Sequence, residues 1–208
     1  RIFRPTAFIR LIRPIIGVAR ITLRLRPTAR WGAKVAEHTR GSHHIRYLCS
    51  DMTMRLTTDA PVSHVLEERA FRLEQPIAMF LGPDEGFETP VGPTCERMLR
   101  ETESYWKHWV RGLAVPLEWQ TAVIRAAITL KLCQHEETGA IVAALTTSIP
   151  EHADSGRNWD YRYCWLRDAY YVVQALNRLG AVDVLENYLG YLRNIVDRAE
   201  GGHIQPLF

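Results

Sequence analysis

Arg157-Asn158-Trp159-Asp160-Tyr161-Arg162-Tyr163-Cys164-Trp165-Leu166-Arg167-Asp168-Ala169 is the stretch around which the rest of the chain is organised. Five of its residues are charged (157, 160, 162, 167 and 168), and four are aromatic: Trp159, Tyr161, Tyr163 and Trp165. Neither a helical nor a strand stripe produces that mixture. A core segment would carry aliphatic residues, and a solvated loop would not carry four rings. Flat rings beside short, firmly placed donors and acceptors suit a sugar, whose C–H face stacks and whose rim offers hydroxyls to carboxylate and guanidinium groups.

A purely structural reading stands beside that one. Asp168 precedes Ala-Tyr-Tyr-Val-Val-Gln-Ala-Leu, a helix-like run, so it can serve as an N-cap with Arg167 as its partner, and the aromatics can line a packed corner. Composition leaves both open.

The run Asn158 to Ala169, preceded by Ala143-Ala144-Leu145-Thr146-Thr147-Ser148-Ile149-Pro150-Glu151, resembles the pattern of glycoside hydrolase family 15. That family includes glucoamylases, glucodextranases and bacterial trehalases. Upstream pieces resemble it too: Leu11-Ile12-Arg13-Pro14, Val18-Ala19-Arg20-Ile21, Leu56-Thr57-Thr58-Asp59-Ala60-Pro61 and Leu81-Gly82-Pro83-Asp84-Glu85. The resemblance runs over essentially the whole chain, and Trp165-Leu166-Arg167-Asp168 is its most specific part. Leu145 departs from it, where the family pattern has proline.

The chain has 208 residues, starts at Arg1 without a methionine, and is 47% hydrophobic, ordinary for a globular protein. Members of the resembled family are much longer, so the sequence is expected to be an internal fragment. Cys49, Cys95, Cys133 and Cys164 are scattered, with no Cys-x-x-Cys spacing, which points to free thiols in a reducing compartment. The protein is expected to be cytoplasmic and bacterial. No apolar run reaches the length of a membrane span.

Residues 1 to 48 hold ten Arg and one Lys against Glu37 alone. Such a basic arm could suggest nucleic acid. The alternation Arg20-Ile21-Thr22-Leu23-Arg24-Leu25-Arg26 argues instead for a half-buried strand with a solvated basic face, whose acidic partners are expected outside this sequence. Met52, Met54 and Leu56 repeat the period of two, as do Phe71 and Leu73, with turn signals at Asp59-Ala60-Pro61 and Gly82-Pro83-Asp84. Residues 1–93 therefore read as part of an antiparallel β-sandwich. His43 and His44 are no metal pair, because adjacent strand residues point to opposite faces, and His38 and His64 lack a third ligand. No metal or other cofactor is expected.

After Pro93 the period becomes helical. Met98, Leu99, Thr102, Tyr105, Trp106, Trp109 and Val110 predict a connecting helix over 94–114, capped by Thr94, with an aromatic stripe packed between two domains. Residues 115–208 read as a helix over about 117–135, buried on most sides because acidic residues are nearly absent from its middle. A polar loop, a helix over 168–179 and a helix over about 183–198 follow, the last with an apolar face of Val184, Leu185, Tyr188, Leu189, Leu192, Ile195 and Val196. The resemblance implies a multidomain β plus α protein, a partial β-sandwich followed by the first helices of an (α/α)₆ barrel.

The resemblance also implies an inverting, exo-acting glycoside hydrolase that releases glucose from the non-reducing end of an oligo- or disaccharide α-glucoside. Both catalytic glutamates of that family are expected C-terminal of Phe208, so none is named here. The positions carried over bind substrate: Arg167 and Asp168 grip hydroxyls of the terminal glucose, Trp165 lies two residues before that Arg, and Tyr161 lines the same subsite. The alternative is a non-catalytic carbohydrate-binding or scaffolding remnant. Asp160 is expected to pair with Arg157 or Arg162 rather than to act as an acid.

Overall fold

The period-two runs of the first half form strands and the period-3.6 runs of the second half form helices in the computed structural model, which describes residues 6–30, 32–147, 150–199, 201 and 205. The chain divides into two units, Arg1–Ser104 and Tyr105–Phe208.

The first unit carries an antiparallel sheet with the order β1 (Phe8–Ile12), β9 (Ile77–Pro83), β7 (Thr53–Thr58), β6 (His44–Leu48), β5 (Glu37–Arg40). Two short ribbons accompany it, β2 (Ala19–Ile21) with β8 (Phe71–Leu73), and β3 (Thr28–Ala29) with β4 (Lys34–Val35). A short helix, α1 (Val62–Leu66), follows β7. Ile45, Tyr47, Leu56, Val65, Leu73 and Leu23 form the core of this unit. Ile21, Leu23 and Leu25 turn inward and Arg20, Thr22, Arg24 and Arg26 outward, as the alternation predicts, although the paired strand stops at Ile21.

The acidic partners of that basic face come from this same chain, correcting the expectation that they lie elsewhere. Arg26 donates to both carboxylate oxygens of Glu68, Arg24 adds a contact at 3.4 Å, and Arg13 pairs with Glu96 at 3.0 Å. Arg46 and Arg55, directly opposite each other on β6 and β7, both face Asp84, whose carboxyl the Arg46 hydrogen bonds hold below its ordinary range.

The Leu56-Thr57-Thr58-Asp59-Ala60 stretch has a structural task. Thr58 is fully buried; its hydroxyl donates to the Ala78 carbonyl at 2.8 Å and accepts from the Ala60 N–H at 3.0 Å. Asp59 Oδ1 accepts the Ala78 N–H at 2.8 Å. These bonds finish β7 where its backbone groups would otherwise lie buried and unmatched.

Helix α2 spans Val91–Arg111. Val91 and Cys95 pack with Ala78 and Phe80, and burial pushes the Cys95 thiol up to about 11. Thr94 is not the N-cap: it lies inside the helix, and its hydroxyl donates back to the Pro90 carbonyl at 2.9 Å. Pro90 and Pro93 tolerate the first turn because its N–H groups have no helical acceptor, so the helix starts before the predicted cap.

In the second unit Trp109 packs on the helical core and stands edge-on to Trp106, 5.8 Å between centroids. Helix α3 runs Gln120–Leu132, shorter than expected. Only Ala127 and Lys131 are buried in it, against the expectation of burial on most sides. Lys131 Nζ donates to Gln134 Oε1 at 2.6 Å and lies 3.6 Å from Asp183. Helices α4 (Leu166–Arg178) and α5 (Val182–Arg198) pack through Ala169, Val173, Leu176, Val184 and Tyr188. Leu189 and Val196 are each 54% exposed, against the prediction for that face. Gly139, at φ +81°, lies so close to α5 that a Cβ there would meet the Asn187 carbonyl oxygen.

Candidate functional site

The polar loop expected between α3 and α4 is an antiparallel hairpin. Ala143 N–H donates to Tyr163 O, Ala144 N–H to Tyr161 O, Tyr161 N–H to Thr146 O and Glu151 N–H to Arg157 O, all between 3.0 and 3.1 Å. Pro150 and Asn158 bridge across it, and the chain turns back through Asp154, at φ +64°. The turn chemistry of Ala153-Asp154-Ser155-Gly156 is the signal that could have revealed this. Ser148 and Ile149 lie outside the described residues.

This hairpin delivers the site stretch to the start of α4. Cys164 is buried beside Ile141 and Tyr191, and burial raises its thiol pKa. That anchor leaves its neighbours Tyr163 and Trp165 on the rim. Trp165 occupies the N-cap position of α4 with extended backbone and caps nothing with its side chain. Its ring lies 6.3 Å from Tyr161, tilted by 44°, and 6.1 Å from Tyr163, edge-on. Three rings thus form one cluster, and Tyr161 is 39% exposed. Tyr163, one of the four aromatics of the stretch, joins the two rings, Tyr161 and Trp165, that the resemblance names. Its period-two relation to both was the available sign.

Arg167 and Asp168 follow in the first turn of α4. Asp168 is the third helical residue rather than the N-cap, which corrects the capping reading: no side chain caps this helix. Its Oδ2 is buried with no hydrogen-bond partner among the described residues, and Arg167 Nη2 lies 3.7 Å away. Arg167 itself is largely exposed. The four sequence-predicted positions therefore fall within eight residues, two rings at the mouth of the helix and a donor–acceptor pair on its first turn.

The other charged residues of the stretch are engaged in ion pairs. Asp160 takes Arg162, through the backbone N–H at 3.0 Å, Nε at 3.1 Å and Nη2 at 3.0 Å, and these bonds hold its carboxyl below the ordinary range. Arg157 pairs with Glu151 at 3.4 Å. An acid held ionised in that way is a poor proton donor. Among the described residues no three of His, Cys, Asp and Glu gather as a metal ligand set, and no helix is long and apolar enough to cross a membrane.

Comparison with known proteins finds the same segment. Residues 119–205 match the profile of the glycosyl hydrolases family 15. The trehalase of Thermoplasma acidophilum is 38% identical over 100 residues, 48% of this chain and 17% of that protein. The trehalase of Thermoplasma volcanium is 43% identical over 82 residues, 39% of this chain and 13% of its own length. The trehalase of Mycolicibacterium smegmatis is 35% identical over 114 residues, 54% of this chain and 17% of its own. The matched stretches span less than a fifth of these relatives' length. No solved structure matches the chain.

Proposed function

We propose, from the match of residues 119–205 to the glycosyl hydrolases family 15 and the likeness to trehalases, that the chain belongs to that family and that the full-length protein is a trehalase-like enzyme that cleaves an α-glucoside disaccharide. The observation that carries this reading is the family match over 119–205, which contains the hairpin, the ring cluster and the first turn of α4. In this reading Tyr161 and Trp165 stack on the terminal glucose, and Arg167 and Asp168 hold its hydroxyls. The free Oδ2 of Asp168 is an acceptor suited to such a hydroxyl.

Hydroxyl bonds that tighten as the sugar ring flattens toward an oxocarbenium-like state lower the barrier as well as strengthening binding. A grip on the terminal sugar gives exo-action. The acid and base are two glutamates beyond Phe208, since none of the acids in the hairpin matches the family's catalytic positions. The first unit is the edge of a β-sandwich, and α3 to α5 begin an (α/α)₆ barrel. A reducing compartment such as a bacterial or archaeal cytoplasm suits the unpaired Cys49, Cys95, Cys133 and Cys164.

The test is hydrolysis by the full-length protein of trehalose, maltose and isomaltose, followed by NMR of the freshly released anomers. Inverting cleavage of trehalose yields one β- and one α-glucose, whereas retention yields two α-glucoses. Residues 1–208 alone are expected to hydrolyse none of the three. Turnover by that piece would overturn the placement of the catalytic pair, and saturable binding without turnover by the full-length protein would favour a carbohydrate-binding role.

A further inference from the structure

We propose that Asp160 and Arg162 form a clamp that sets Tyr161 for the bound sugar, which makes Asp160 a positioning residue. The inference rests on the reading of Tyr161 as a substrate-lining residue. Asp160 Oδ1 accepts the backbone N–H of Arg162 at 3.0 Å, an Asx turn that reaches across Tyr161. The same oxygen accepts Arg162 Nε at 3.1 Å, and Oδ2 accepts Nη2 at 3.0 Å, so the guanidinium fork closes the turn with two parallel charge-assisted bonds.

The residue inside this turn is held from the other side as well. Tyr161 donates its N–H to the Thr146 carbonyl at 3.0 Å and accepts the Ala144 N–H at 3.0 Å. Its main chain is thus fixed by the hairpin and by the clamp together, which leaves the ring its rotamer alone, and that ring meets Trp165 at 6.3 Å. An ion pair as open to solvent as this one adds little to global stability. Fixing a ring to a fraction of an ångström matters where a substrate must be held in a reactive pose.

The experiment is a double-mutant cycle in the full-length protein, with trehalose as substrate and kcat/KM and melting temperature measured together. Asp160→Ala and Tyr161→Ala are each expected to lower kcat/KM about tenfold or more. The double variant is expected to be no worse than Tyr161→Ala, because Asp160 acts through that ring. The melting temperature of Asp160→Ala should stay near wild type, and Asp160→Asn, which keeps the Oδ1 acceptor, should recover much of the rate.

Losses that multiply in the double variant, or an Asp160→Ala enzyme of full activity, would overturn the clamp while leaving the Tyr161 reading intact. A Tyr161→Ala enzyme with wild-type kcat/KM would remove the Tyr161 reading itself, and the clamp with it. Should Asp160→Ala not fold, Arg162→Gln takes its place in the same cycle. Failure of both to fold would make the pair a structural staple and end the proposal.

Discussion

Oδ2 of Asp168 is buried 3.7 Å from the Arg167 guanidinium and finds no hydrogen-bond partner among the described residues. A carboxylate oxygen withdrawn from water without a matching donor is unfavourable by itself and calls for a partner, a place that a sugar hydroxyl would fill on the proposed reading. Its place in the first turn of α4 gives it a modest role in the helix dipole, about 0.3–1 kcal/mol, and no role as a cap.

Asp168→Asn in the full-length protein should therefore separate a structural role from the proposed sugar-binding one. On the proposed reading the change removes a charge-assisted bond to a glucose hydroxyl and should cost about 1.5–3 kcal/mol, roughly ten- to a hundredfold or more in kcat/KM. The melting temperature should move little. Kinetics close to wild type would return Asp168 to a structural part.

Thr58 offers a stability test far from the sugar chemistry. Its buried hydroxyl serves Ala78 and Ala60 at once. Thr58→Val keeps the shape but strands both partners, which should destabilise the protein by about 1–3 kcal/mol. Thr58→Ser keeps the hydroxyl and should retain more of the stability. Thermal denaturation of the three proteins side by side decides it, and a Val variant as stable as the parent would refute the assignment.

Much of this fold was legible because side-chain period reports burial directly. Ile21, Leu23 and Leu25 alternate inward as read, and α5 falls within a residue of its predicted start. The hairpin over Ala143–Tyr163 was not legible, because main-chain bonds hold it and its apolar residues follow no period. Thr94 failed as a cap because two prolines allow the helix to start earlier, and a hydroxyl inside a helix can bond backward as well as cap. Trp165, Arg167 and Asp168 lie close together in the sequence, so one helix start brings them together without any long-range contact.

Gly139 and Gly180 form a matched pair. Both have φ +81°, but a Cβ on Gly139 would clash with the Asn187 carbonyl oxygen, whereas one on Gly180 would meet nothing within 4 Å. Gly180→Ala should cost only left-handed backbone strain, about 1–2 kcal/mol. Gly139→Ala adds the clash with α5, expected to contribute about 1–3 kcal/mol more. Equal melting temperatures for the two variants would show that the Gly139–α5 approach is looser than described.

Asp160 should reveal the clamp through its own titration. The Arg162 side-chain and backbone bonds lower its folded pKa below the ordinary carboxylate value of about 3.9. A lowered folded pKa means that the folded state binds the proton less readily than the unfolded chain. The clamp's contribution is therefore complete above the unfolded value and disappears as pH falls through the folded one. Carbon-detected NMR of the Asp160 carboxyl in the full-length protein should show a midpoint below the usual range, with the Arg162 Nε–H signal changing over the same pH interval. Arg162→Gln removes the fork, so the midpoint should climb back toward the ordinary value. A carboxyl that titrates normally in the parent, or one that ignores the loss of Arg162, would show that the two side chains do not hold each other in solution.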